Sequence, residues 1–157
     1  MTQPTYNFRT QLATGEEAER RLDAWFEHWY AIEPATMDQQ RQGIDRIFTR
    51  RDTGAAFKIE YKTDSRASRT GNAFVETVSV DTSNKPGWAF SSQADILLYY
   101  VPGPETVYVV DFTKLRRRLP GWQRNYRLRK IPNWGYRTHG LLVPLDEFER
   151  MADKIIS

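Results

Sequence analysis

GIDRIFTRRDTGAAFKIEYKTD, residues Gly43–Asp64, reads as two short strands joined by a turn at Arg51-Asp52-Thr53-Gly54. Alternate side chains of a strand share a face, so Phe57, Ile59 and Tyr61 lie on one side of the second strand and Lys58, Glu60 and Lys62 on the other. With the turn centred between Asp52 and Thr53, Phe48 faces Phe57, Arg46 faces Ile59 and Ile44 faces Tyr61. On the opposite side Ile47 meets Lys58, and Asp45 lands across from Glu60. A slip by one residue would separate the acids, but it would also scatter the apolar side chains that this register gathers. Two carboxylates directly opposite each other destabilise a hairpin. A bound cation would turn that repulsion into affinity. A small set of hard oxygen ligands, leaving room for water and phosphate, suits Mg²⁺, with Mn²⁺ as a substitute. Lys62, further along the same face, is placed to hold an attacking water or to neutralise charge building on a phosphate.

The rest of the chain supplies a frame for that hairpin. Its 157 residues, 39% hydrophobic and 13% aromatic, are enough for one domain with a real core. Thr14-Gly15-Glu16-Glu17 has the pattern of a capping box, and Ala18, Leu22, Trp25, Phe26 and Trp29 follow at helical spacing, so a helix is expected over 15–30 with those aromatics in the core. A short strand is expected to start within Trp29–Ile32, and Met37–Gln42 and Asp64–Gly71 read as loops. Strands are expected over Phe74–Val80, Ala94–Val101 and Thr106–Phe112, with a loop at Ser83–Gly87 that carries Trp88 at its end as packing. Lys114–Leu119 reads as a short basic helix stopped by Pro120-Gly121. A basic, aromatic loop follows up to Gly140, then a strand at Leu141–Val143 and a closing helix capped by Asp146 and running through Phe148, Met151 and Ile155. Helix, strands, short helix, strand and helix together predict an α/β (α+β) domain with a central mixed sheet flanked by helices.

The chain has no cysteine and only two histidines, His28 and His139, which argues against disulfides and against a thiolate or histidine-rich zinc site. The N-terminus has no apolar leader and no apolar run approaches the length of a membrane span, so a cytoplasmic protein without a membrane partner is expected. Charge is unevenly placed. Residues 111–140 hold Lys114, Arg116, Arg117, Arg118, Arg124, Arg127, Arg129, Lys130 and Arg137 against Asp111 alone, a local +8 that leaves −5 for the rest of a chain with net charge +3. That asymmetry points to a polyanion, and Trp122, Tyr126, Trp134 and Tyr136 between the cations suit stacking on bases. Lys58 and the cations from Lys114 to Lys130 are the nucleic-acid-binding candidates. No sequence-reading motif is present, so recognition through backbone or shape is expected.

Asp45, a turn, then Glu60-Tyr61-Lys62 resembles the PD-(D/E)XK nuclease superfamily, whose core is the restriction-endonuclease-like fold. Ile44 stands where that family's proline would precede the aspartate. The resemblance implies that Asp45 and Glu60 bind the metal ion and that Lys62 assists the water. It implies a helix acid near the site, for which Glu17 is the first candidate and Glu16 the second, although Glu17 also completes the capping box with Thr14. Glu76 in AFVETVSV is a further candidate metal ligand or a plain polar strand residue. The implied activity is metal-dependent hydrolysis of DNA, with RNA left open, in a chain that would form a single nuclease-like domain over 1–157 with its basic segment at 114–137. Relatives often work as homodimers. The competing reading is a non-catalytic nucleic-acid-binding module on the same fold.

Overall fold

The computed structural model describes residues 8–157, with side chains from Gly15 onward. Two sheets share one core. The first holds β1 (Tyr30–Pro34), β2 (Arg46–Arg50), β3 (Ala56–Thr63), β6 (Ile96–Val101), β7 (Thr106–Asp111) and β10 (Lys154–Ile156) in the order β1-β2-β3-β6-β7-β10. The pair β3–β6 is parallel and the other pairs are antiparallel, so the sheet is mixed as expected. A parallel pair needs a long crossover, and residues 64–95 provide it. They hold α3 (Ala67–Thr70), β4 (Asn72–Val80), β5 (Lys85–Pro86) and α4 (Trp88–Ser91). The second sheet, with order β5-β4-β9-β8, pairs β4 with β9 (Arg137–Pro144) and β9 with β8 (Leu128–Pro132).

The predicted register is the observed one. Arg46 pairs with Ile59, Ile47 with Lys58 and Phe48 with Phe57. One face of β3 carries Ile59 and Tyr61 into a cluster with Leu98, Tyr100, Val107 and the apolar stripe of α1 (Phe8–Phe26) at Ala18, Leu22 and Phe26. The other face of the first sheet meets the second sheet across Leu97, Tyr99 and Val101, with Val75, Leu141 and Val143 opposite. That cluster also takes Phe112, Leu115, Leu119 and Trp122 of α5 (Phe112–Asn125) and Phe148 of α6 (Leu145–Met151). Trp88 is buried in the same cluster, on a short helix rather than in a loop.

Several expected boundaries move, each for a physical reason. Helix α1 begins at Phe8, so Thr14 lies inside it and the Thr14–Glu17 capping box is not a helix start. A complete capping box instead opens α2 (Met37–Arg41), expected as loop: Thr36 accepts from the Gln39 N–H and Gln39 reaches back. Trp29 is 58% exposed and leaves the core stripe, because α1 has already ended. Pro120 does not stop α5. It lacks the N–H that would bond Arg116's carbonyl and its ring crowds that carbonyl, but Leu115, Leu119 and Trp122, spaced at helical intervals, hold the helix against the core. The region expected as a basic loop is the β8–β9 hairpin. Asp146 lies in the first turn of α6 behind Pro144 and is not its cap, and Ile155 is on edge strand β10 rather than in a longer helix.

Candidate functional site

The loop ahead of β2 places Asp45. Gly43 adopts φ +77°, the left-handed region that favours glycine, and a Cβ there would lie 3.0 Å from Ser92. Ser92 Oγ donates to the Gly43 carbonyl at 2.9 Å, and Gln93 N–H donates to the Gln42 carbonyl at 2.8 Å, so the segment just before β6 clamps this loop. The β2–β3 ladder ends at Arg46–Ile59. Asp45 N–H then donates to the Ile59 carbonyl at 2.8 Å, and its Oδ2 accepts from the Tyr61 N–H at 2.7 Å. The carboxylate is thus held beside Glu60 by the backbone of the strand that carries Glu60.

Glu60 is 4% exposed. Its Oε1 lies 3.2 Å from Lys62 Nζ. Its Oε2 is buried without a hydrogen-bond partner. Ser92 Oγ also borders Glu60, but it has one proton, and that proton goes to the Gly43 carbonyl. Burial raises the Glu60 carboxyl above its ordinary value of 4.5, with Lys62 opposing and Asp45 adding to the rise. Lys62 keeps 37% of its side chain exposed, so its ammonium faces both the acid and solvent.

Two further acids approach from other elements. Glu76 on β4 is half-buried and raised by that burial, opposed by Lys62, the Trp88 N–H and Lys85. The Trp88 N–H donates to its Oε1 at 3.4 Å. Glu76 therefore stands as a counter-charge to Lys62 more than as a neighbour of Asp45. From α1 the acid that arrives is Glu19, not Glu17. Glu17 is exposed and acts on Arg21, and Glu16 is exposed too. Glu19 is half-buried, 3.4 Å from Arg46, and raised first by burial and further by Asp45 and Asp23, with Arg46 opposing. Asp23 completes the contact: it lies 3.1 Å from Arg46 and accepts from Tyr61 Oη at 2.6 Å. A signal for Glu19 and Asp23 was present. The hairpin register turns Arg46 toward the apolar side, and a cation there requires acids from whatever packs on it. Glu19 and Asp23 flank Leu22 four residues apart on that helix.

The cations divide. Arg116 is half-buried, donates from Nε to the Ala89 carbonyl at 3.1 Å and from Nη2 to the Ser92 carbonyl, and lies 4.9 Å over the Phe112 ring. It braces the turn that clamps Asp45's loop. Lys114 pairs with Asp153, and Arg118 with Glu147 at 3.3 Å. Arg117, Arg124, Arg127, Arg129 and Lys130 are exposed and form no ion pair among the described residues, and Lys58 is the same.

Among the described residues no three acids or histidines converge into a complete metal-ligand set. What converges is a carboxylate pair with one buried oxygen unpaired. No protein-family model and no curated protein matches the chain. One solved structure resembles it. A bacterial homing endonuclease, I-Ssp6803I, superposes with a TM-score of 0.49 at 19% identity, covering 83% of this chain and 88% of that one. Among the described residues no helix is long and apolar enough to cross a membrane.

Proposed function

We propose that the chain is a metal-dependent deoxyribonuclease with a restriction-endonuclease-like core, centred on Asp45, Glu60 and Lys62. The observation that carries this reading is Glu60 Oε2, a buried carboxylate oxygen with no donor, next to a second carboxylate and a lysine. An orphaned buried acceptor costs about 1–3 kcal/mol, and more when charged. Such a cost persists where a ligand repays it. The donor set is oxygen only, which fits a hard divalent cation such as Mg²⁺ or Mn²⁺ that retains waters. Asp45 and Glu60 would hold it, with Glu19 rather than Glu17 the helix acid nearest Asp45. When bound, the ion supplies Lewis-acid polarisation of a phosphate and a water of lowered pKa.

The chain's own residues do the rest. Lys62 Nζ, anchored by Glu60 and balanced by Glu76, presents donors to solvent where a water or a phosphate oxygen would sit. There it would orient the water attacking phosphorus and stabilise the charge that builds as the P–O bond to the leaving strand breaks. Arg116 and Ser92 act indirectly, by holding the turn against which Asp45's loop is fixed.

The test is cleavage of supercoiled, linear, single-stranded and branched DNA with Mg²⁺, with Mn²⁺ and with chelator. Wild type should cut only with metal. Lys62→Ala should lower the rate by about 10²–10³-fold, the usual cost of removing one transition-state donor, and Asp45→Ala should abolish cutting. No cutting by wild type on any substrate, with salt-sensitive DNA binding retained, would move the assignment to a non-catalytic binding module.

A further inference from the structure

The β8–β9 hairpin and the residue before it carry Arg127, Arg129 and Lys130, exposed and outside any ion pair among the described residues, and the hairpin's two faces differ. Arg129 pairs with Gly140, and Gly140 pairs with Glu76, so the three stand in one row on one face of the second sheet. Arg127 continues the neighbouring row, because the Leu142 N–H donates to its carbonyl and Leu142 pairs with Phe74. Lys130 points to the opposite face beside His139. Along that first row Gly140 admits the Phe74 ring, which crosses it: a Cβ there would lie 2.2 Å from the ring. The Phe74 ring therefore floors the face between Glu76, which Lys62 balances, and Arg129. Strand spacing puts the ends of this row about 10 Å apart, a span of one to two nucleotides.

At the tip, Trp134 is 67% exposed and has no aromatic partner among the described residues. The loop that carries it is fastened. Asn133 N–H donates to the Tyr136 carbonyl at 2.8 Å, Asn133 Nδ2 to Thr138 at 2.8 Å, and Thr138 Oγ1 to the Ser79 carbonyl at 2.9 Å. Asp81 accepts from the Arg137 N–H at 2.8 Å and lies 3.0 Å from Arg137 Nε. A large indole is thus held in solvent on an anchored hairpin whose residues 124–137 hold no acid.

We infer that this hairpin is a clamp for a DNA strand with unpaired bases. Arg127 and Arg129 take its phosphates on the face that leads to Lys62, and Trp134 stacks on an unpaired base. Guanidinium donors match phosphate oxygens, and an exposed aromatic ring offers a platform for any base without reading its identity. The inference builds on the nuclease reading but concerns binding, and it is tested without turnover.

The experiment measures affinity of the full chain in chelator, by fluorescence anisotropy at several salt concentrations. The probes are a blunt duplex, a single strand and a duplex with a single-stranded gap. Arg127→Ala/Arg129→Ala should weaken all three and flatten the dependence of log K on log salt by about two phosphate contacts. Trp134→Ala should weaken single-stranded and gapped DNA by about 5- to 150-fold, matching the measured range for one stacked base, and leave the duplex unchanged. A control with Arg41→Ala/Lys154→Ala removes two cations outside the hairpin and should keep the wild-type slope. Melting curves check that each variant is folded, and Trp134→Phe should restore most of the affinity. Equal loss in the control and hairpin variants would overturn the clamp in favour of diffuse charge attraction. Unchanged gapped-DNA binding by Trp134→Ala would overturn the stacking role. If these binding results hold and wild type cuts nothing with metal, the nuclease reading fails and the clamp survives.

Discussion

Two hairpins organise this molecule, and each is built around an acid in a different state. In β2–β3 the acid is Glu60, buried, with one oxygen unpaired and its carboxyl raised above 4.5 by that burial. In β8–β9 the acid is Asp81, which lies beside the hairpin's tip. The Arg137 N–H, its guanidinium and the His139 ring lower the Asp81 carboxyl to about 2. The first hairpin carries a buried charge that Lys62 compensates only in part, and the second uses its charge as a fastener. A fold retains a destabilising acid when the acid has work beyond folding, whereas a satisfied acid needs no such explanation.

Three measurements sharpen or break this contrast. The largest expected effect is in the second hairpin. Gly140→Ala forces a methyl into the Phe74 ring and should destabilise the protein by about 1–3 kcal/mol in denaturant titration. A neutral outcome would mean that the ring moves freely and that its seat on Gly140 beside Arg129 is not a fixed feature.

Next comes Glu60→Gln in the metal-free protein. Removing the buried charge should stabilise the fold at pH 7 by about 1 kcal/mol, while Lys62 keeps water on its exposed side. Because the folded carboxyl is raised, wild-type Glu60 binds its proton more tightly when folded. The destabilisation it causes is present at neutral pH and fades as pH falls through the raised value toward 4.5. The gain on substitution should fade in the same direction. Loss of stability at pH 7 instead would mean that Glu60 is a structural ion pair.

The smallest effect is on Asp81. Its folded carboxyl is lowered from 3.8 to about 2, so its contribution is complete above pH 3.8 and is lost as pH falls toward 2. Amide exchange at Arg137 should accelerate over that window, and Asp81→Asn should remove the pH dependence.

The β2–β3 hairpin was legible because its information is local. Period-two alternation and a turn at Arg51–Gly54 set the register, and the register put Asp45 next to Glu60. The β8–β9 hairpin was not. Residues 127–140 alternate poorly, since β8 is an edge strand with Leu128, Arg129 and Lys130 all exposed, and polarity on both faces imitates a loop. Pro120 gave a stop signal that α5 overrode through Leu119 and Trp122. Glu17 stood out by its proximity to a capping pattern, but a helix that starts at Phe8 takes its orientation from the buried stripe, and that stripe turns Glu19 and Asp23 toward Arg46.

From its sequence alone the chain determines a mixed α/β class, the hairpin register, the Asp45–Glu60–Lys62 grouping and the placement of excess positive charge between Lys114 and Arg137. These depend on neighbours along the chain or on composition. Tertiary structure alone decides which acids reach that group, which cations are consumed by Ala89, Ser92, Glu147 and Asp153, and which remain in solvent. The physical reason is that an ion pair or an orphaned oxygen is a property of what packs opposite a residue, and the crossover from β3 to β6 brings together elements far apart in sequence.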